Sequence, residues 1–374
     1  MEELTSGAKL ERCDEIGNNI FEAKLNFRNV VVKEIRDKVK ALNEIKAYSL
    51  TSGGKNIVTM YTYFQHQATV ELVLEKVHCS LVELINKCQW HQEPCVMSTT
   101  KRDYMDGLTR ITLGGVGKPS RFFLGIIRDI IYGVETLEKK GVVHGCLKPE
   151  SVMIFDDYEA KLLMNRHPKL DSKNINVDRF GLGEIIHFCA TFGEYTKMVR
   201  GKTSLFKSLS PDVFHLINSL FSVPKAVIVH SNHITFWSSV KKMNFCCEAN
   251  NKMFDVPFAQ ILALEINKKI IHGGNESWKL TIDNKTSELW DVVTFEGGNL
   301  NDTWTRDLIR FIRNAYQHRD GEKIKELIGK TPTEFDKFFS SLFPHLFVRI
   351  YEVASFYWLN DEVFRRFLLC DFYT

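Results

Sequence analysis

The spacing of apolar residues changes period once along this chain, which limits it to folds with a β-rich part before a helical one. Through the first eighty residues the pattern is strand-like. Residues 29–35 have β-branched density, and a period of two puts Val31, Lys33 and Ile35 on one face. Residues 57–64 and 69–74 read as two more strands. Ahead of these two, residues 38–50 have helical spacing through Val39, Leu42, Ile45 and Leu50, ended by Gly53-Gly54. From Arg121 the period becomes helical. Ser120 can cap a helix whose apolar stripe runs through Phe122, Ile126, Ile127, Ile130, Ile131, Val134 and Leu137, with Gly141 as its stop. Further helices are expected at 178–192, 211–222, 255–271, 304–318, 321–328, 333–341 and 345–358, separated by turn signals at Gly273-Gly274, Gly297-Gly298, Gly329 and Pro344. The glycine-rich residues 99–120 keep no period and read as a surface insertion. Strands, then helices, then more helices predict an α+β domain of two lobes followed by an all-α extension.

Composition narrows the function classes. With 374 residues, 44% hydrophobic and 25% charged, the chain is globular and long enough for two domains. Forty-nine basic residues against 46 acidic ones leave a net charge of +3, so a nucleic-acid partner must be read from a local site. Nine cysteines without a CxxC pair are expected to be free thiols in a reducing compartment. The first nineteen residues lack an apolar core of the signal-peptide kind, and no run of about 18 apolar residues occurs. The expectation is a soluble chain with no membrane span, in the cytoplasm or the nucleus.

The segment Val142-Val-His-Gly-Cys-Leu-Lys-Pro-Glu-Ser-Val-Met-Ile154, placed after the long helix, resembles the protein-kinase catalytic loop. Other pieces follow in the order of that family. Val-Val-Val-Lys33 is similar to the strand lysine that meets nucleotide phosphates, and Glu44 stands where its carboxylate partner would be. Glu71-Leu-Val-Leu-Glu75 resembles the hinge strand, and Asp178-Arg-Phe-Gly-Leu-Gly183 the start of the large-lobe helix that carries a structural Asp. The resemblance implies a bilobal protein-kinase-like fold over residues 1–232. It also exposes what is missing. Phosphoryl transfer uses an Asp at the substrate hydroxyl and an Asp and Asn on magnesium. Here Cys146 stands at the catalytic Asp, Ser151 at the Asn and Met164 at the magnesium-binding Asp. The loop Ile16-Gly-Asn-Asn-Ile-Phe21 keeps a single glycine, and only thirteen residues separate Met164 from Asp178. A pseudokinase is therefore expected. Lys33 and Glu44 remain as an ion pair that positions a helix, or as a degenerate site binding ATP or ADP without magnesium. Cys146 reads as an inert thiol.

The most informative stretch is Trp304-Thr-Arg-Asp-Leu-Ile-Arg-Phe-Ile-Arg-Asn-Ala-Tyr-Gln-His-Arg319. On a helix, Leu308, Ile309, Phe311, Ile312, Ala315 and Tyr316 gather on one side. Arg306, Arg310, Arg313, Asn314, Gln317 and His318 gather on the other, with Asn314 and His318 one turn apart. Metal-free RNA cleavage needs a proton taken from the ribose 2′-OH, a proton given to the leaving 5′-oxygen and a cation beside the phosphorus. An imidazole exchanges protons near neutral pH, and a guanidinium grips phosphate. On spacing alone, a solvated helix face remains open.

The same stretch, with Glu326-Leu-Ile-Gly329, Thr331-Pro-Thr-Glu-Phe-Asp-Lys-Phe-Phe339 and Leu342-Phe-Pro-His-Leu-Phe347, resembles the kinase-extension nuclease domain. That domain belongs to the inositol-requiring kinase/endoribonucleases of the unfolded-protein response and to ribonuclease L. His233-Ile-Thr-Phe-Trp237 resembles the junction before that domain, and Lys241-Lys-Met-Asn-Phe245 its first helix, so the nuclease-like domain is expected over 233–374. The resemblance implies metal-independent endoribonuclease chemistry that needs no cofactor and leaves a 2′,3′-cyclic phosphate. It implies His318 as general acid/base, Arg313 as phosphate contact, Asn314 as orienting group and Asp307 as support. The implied partner is RNA rather than DNA, with a homodimer, or a heterodimer with a relative, built on the kinase-like part. Trp290 lies near a functional tryptophan of ribonuclease L, beside the plainer reading of core packing. One position departs: the stress-sensor enzymes place a Tyr where this chain has Leu300, and a leucine moves no protons. That departure keeps a second expectation in view, a non-cleaving regulator that pairs or competes with an active relative.

Overall fold

The computed structural model describes residues 10–17, 19–90, 119–164, 172–193, 209–221, 230–265, 268–294 and 299–369. Most of the expected insertion (99–118), the turn at 297–298 and the segment just after Met164 lie outside the described residues. Two compact units divide at Leu209 and Ser210, so the residues 211–222 expected in the kinase-like part cluster with the second unit.

The first unit opens with five antiparallel strands in the order β1 (Leu10–Gly17), β2 (Ile20–Leu25), β3 (Arg28–Ile35), β5 (Val70–Glu75), β4 (Met60–Gln65). β3 lies centrally, with Lys33 opposite Ile20 on β2 and Leu72 on β5. The helix α1 (Lys38–Thr51) is capped by Asp37, whose side chain accepts from Lys40 N. Its buried side is Ala41, Glu44, Ala47, Tyr48 and Thr51. Val39, Leu42 and Leu50, the apolar positions that identify the helix in the sequence, are exposed instead. The ion pair decides the face: Glu44 has to reach Lys33, and the small Ala41 and Ala47 let the helix approach.

The rest of this unit holds β6 (Cys79–Ser80), α2 (Leu81–Trp90), α3 (Arg121–Lys139), β7 (Val152–Ile154), β8 (Ala160–Leu162) and α4 (Ser172–Ala190). The three short strands form a second sheet, β6-β7-β8. Ser120 caps α3 by accepting from Phe123 N, and Gly141, at φ +67°, follows the helix in the left-handed conformation glycine favours. On α4, a Cβ at Gly181 would overlap Leu147 O, so only glycine admits the loop that close. This is a β-rich lobe followed by a helical one, the kinase-like architecture, ahead of a helical domain.

The second unit is helical: α5 (Pro211–Phe221), α6 (Ser239–Lys252), α7 (Phe258–Glu265), α8 (Lys268–Ile271), α9 (Trp278–Asp283), α10 (Glu288–Thr294), α11 (Thr305–Gln317), α12 (Glu322–Leu327), α13 (Pro332–Leu342), α14 (Leu346–Tyr357) and α15 (Glu362–Leu368). α6 packs against α11, α13, α14 and α15. Trp278, Trp290 and Phe311 fill the space beside α11, with the Trp290 and Phe311 rings stacked at 5.8 Å. No helix among the described residues is long and apolar enough to cross a membrane.

The buried His233 and the half-buried His215 contribute to this unit's response to acid. His215 Nδ1 and His233 Nε2 share a hydrogen bond of 2.8 Å, and His233 Nδ1 accepts from Thr235 N at 3.2 Å, so His233 Nε2 is the donor, His215 Nδ1 the acceptor, and both rings are neutral. Burial lowers both pKa values. For His233 the neighbours His215, His230 and Lys242 lower it further, while at His215 Glu352 and Asp212 outweigh little of the effect and Arg349 adds to it. Unfolded imidazoles take up protons near pH 6.5, where the folded pair refuses them. Stability is therefore complete above that pH and is lost as pH falls below it, by at most about 1.4 kcal/mol per histidine per pH unit. In the first unit the buried His144, pushed down to about 4, acts in the same direction, while Asp178, raised to about 6 by burial, opposes it. Urea unfolding should show the second unit weaker by about 1–3 kcal/mol at pH 5.5 than at pH 7.5. An unchanged midpoint would contradict the neutral pair.

Candidate functional site

The strongest constellation lies on α11. Its apolar face, Leu308, Ile309, Phe311, Ile312, Ala315 and Tyr316, is buried as the spacing predicts, and this rotates the polar face outward. Arg306, Arg310, Arg313 and Asn314 are half-buried, and Gln317 and His318 are exposed. Arg313 Nη1 donates to Asn314 Oδ1 at 3.0 Å. Among the described residues, the buried Arg313 Nε has no hydrogen-bond partner. His318 ends the helix: its N–H closes the last turn onto Asn314 O at 3.0 Å, and its O accepts from Gly321 N at 2.9 Å. The imidazole thus sits on a fixed backbone with its ring in solvent.

Asp307 is 5% exposed and serves the backbone: its Oδ2 accepts from Asn301 N at 2.8 Å, and Arg306 Nε lies 3.6 Å from Oδ1. It holds the turn that leads into α11. Leu300, within that turn, packs against the apolar core. Tyr316 cannot stand in for the missing tyrosine. It is buried against Phe335, and burial raises its pKa. Trp290 packs with Trp278 and Phe311, matching the plainer of its two readings. One residue escaped the sequence reading. The buried His272 pairs its Nε2 with Thr305 Oγ1 at 3.2 Å and its Nδ1 with Glu276 O at 3.2 Å, and so pins the first residue of α11. Thirty-three positions separate His272 from Thr305, so no local spacing could reveal it.

The first unit brings its kinase-like residues together as well. Lys33 Nζ meets Glu44 Oε2 at 2.8 Å and donates to Met164 O at 3.1 Å, while Met164 N donates to Tyr48 Oη at 3.2 Å. Met164 is fully buried. Asp178 accepts from His144 N at 2.6 Å and Gly145 N at 2.7 Å, holding the loop before Cys146. Ser151 turns its hydroxyl to Lys148 O at 2.7 Å, and Cys146 is half-buried. These three positions do not fit magnesium: a thiol, a hydroxyl committed to the backbone and a buried thioether replace the hard oxygen donors it requires. Among the described residues, no three His, Cys, Asp or Glu side chains group as a metal site would require.

Residues 243–368 match the family model described as Ribonuclease 2-5A. The chain is also similar to serine/threonine-protein kinase/endoribonuclease IRE1 of Oryza sativa subsp. japonica, 28% identical over 94% of this chain and 43% of that protein. With IRE1a of Arabidopsis thaliana it shares 26% identity over 95% of this chain and 49% of the relative. With the inactive serine/threonine-protein kinase/endoribonuclease IRE1-like protein of Arabidopsis thaliana it shares 23%, over 87% and 70%. The chain spans about half the length of the first two. The resemblance read from the motifs therefore extends over nearly the whole chain, a kinase-like part followed by a ribonuclease-related one.

Proposed function

We propose that this chain, similar to the IRE1-type kinase/endoribonucleases, is a pseudokinase–endoribonuclease that cleaves RNA without a metal ion. The observation that carries this reading is the outward face of α11, where an exposed His318 stands one turn from the Arg313–Asn314 pair. In the cleavage, the ribose 2′-oxygen loses its proton and bonds to phosphorus, the bond to the 5′-oxygen breaks, and that oxygen takes up a proton. The products are a 2′,3′-cyclic phosphate and a 5′-hydroxyl. Asn314 orients the 2′-hydroxyl, Arg313 neutralises the charge on phosphorus, and His318 moves one of the two protons. With Leu300 in the turn before α11, water carries the other, so the turnover is slow. Asp307 acts as a positioning residue through the turn at Asn301.

The kinase-like unit serves as a dimerisation platform rather than as a phosphotransferase. Its Lys33 is occupied by Glu44 and the Met164 carbonyl. Incubated with radiolabelled ATP and magnesium, the chain should transfer no phosphate to itself or to a generic protein substrate, and robust autophosphorylation would overturn this assignment. The nuclease assignment is tested with a stem-loop RNA in EDTA. Leu300, together with the similarity to the inactive IRE1-like protein, supports one alternative, a non-cleaving regulator that pairs with an active homologue or competes for its RNA. Absence of cleavage at high protein concentration would favour it.

A further inference from the structure

We infer that Trp304, with Arg306 and Arg310, forms a subsite of the nuclease face that stacks an unpaired RNA base and tracks its backbone toward Arg313. This rests on the nuclease reading and extends it. Trp304 is 42% exposed although it adjoins a packed aromatic core. Its backbone is held from several sides: its N donates to Asn301 O at 3.0 Å, and its O accepts from Trp278 Nε1 at 3.1 Å. The side chain makes no capping hydrogen bond to α11. The indole is therefore presented to solvent from a fixed support. The Arg306 guanidinium carbon lies 5.2 Å from its ring centroid, a cation–aromatic contact that steadies the ring.

From there the cations continue. Arg310 is half-buried and, among the described residues, has neither a hydrogen bond nor an ion pair. Arg306, Arg310 and Arg313 follow at helical spacing over about 10.5 Å of axis, the reach of a few nucleotides of single strand. Among the described residues, Asp307 is the carboxylate in ion-pair reach of this row, 3.6 Å from Arg306 Nε, with its other oxygen turned to Asn301 N, while Glu265 accepts from the Arg306 backbone N–H. A row of cations ending in a rigid aromatic plane suits unpaired nucleic acid, because phosphates need the charge and every base offers a face to stack. An acidic peptide would use the charge and leave the indole idle.

The test uses the full chain and a 2′-O-methylated single-stranded oligoribonucleotide, which binds but cannot be cleaved. Its addition should quench tryptophan fluorescence in the parent chain. Trp304→Ala should lose that quenching and about tenfold in affinity, Trp304→Phe should recover most of the affinity, and Phe356→Ala, on an exposed aromatic of α14, should change neither. Arg310→Ala should flatten the dependence of log affinity on log salt by about one. On cleavable RNA, Trp304→Ala should raise KM more than it lowers kcat. Unchanged affinity in Trp304→Ala, or equal quenching by a polyglutamate peptide, overturns the subsite. If Trp304-dependent binding persists while no RNA is ever cut, the subsite stands and the nuclease reading fails. If cutting proceeds and is indifferent to Trp304, the subsite fails and the nuclease reading stands.

Discussion

Replacing His318 with alanine is expected to lower RNA cleavage by about 10²–10⁴-fold, the usual contribution of a side chain that moves a proton in the transition state. The fold should not change, because the imidazole is exposed and the residue's structural work is done by its backbone N–H and O. Arg313→Ala should cost about 100-fold or more for a different reason, since it removes the cation beside the phosphorus and its bond to Asn314. The two variants are separable by binding: His318→Ala should keep the affinity for uncleavable RNA, and Arg313→Ala should weaken it. Melting curves of both should overlay the parent. If His318→Ala cuts as fast as the parent chain, the helix face is only a solvated surface.

The second large effect is on stability. Phe311→Ala should destabilise the second unit by about 3–5 kcal/mol. Phe311 is fully buried and packs against both Trp278 and Trp290, with ring centroids 5.4 and 5.8 Å away. Truncation leaves a cavity under the helix that carries Arg313, Asn314 and His318, and two rigid indoles cannot collapse into it. Over a unit of this size the melting midpoint should fall by about 10 °C. Phe311→Leu should cost much less. A loss below about 1 kcal/mol for the alanine variant would mean that the aromatic trio does not hold the helix in place.

How far the sequence could be read depends on which force sets each feature. The faces of α11 were legible because burial and solvation alone divide them, and their spacing survives folding unchanged. The cap at Ser120 and the left-handed Gly141 were legible because both act within a few residues of themselves. For α1 the spacing reveals the helix but not which side is buried. Its visible apolar residues, Val39, Leu42 and Leu50, face solvent, and the buried side is set by a pairing with Lys33 that no local period encodes. The same holds for His272, whose partner Thr305 lies on another helix, and for β6, two residues long, which exists only as a neighbour of β7. The helix α4 starts six residues before the expected 178, since Ser172–Val177 carries little apolar period of its own. The short helices α9 and α10 went unread because six or seven residues hold too little period to recognise, although Trp278 and Trp290 are the residues that seat α11.

The most direct measurement incubates the purified chain with a stem-loop RNA in EDTA and analyses the new ends. Fragments carrying a 2′,3′-cyclic phosphate and a 5′-hydroxyl, formed despite the chelator and missing with His318→Ala, are the expected result. No fragments at any protein concentration, or fragments that form only when magnesium is restored, would contradict it.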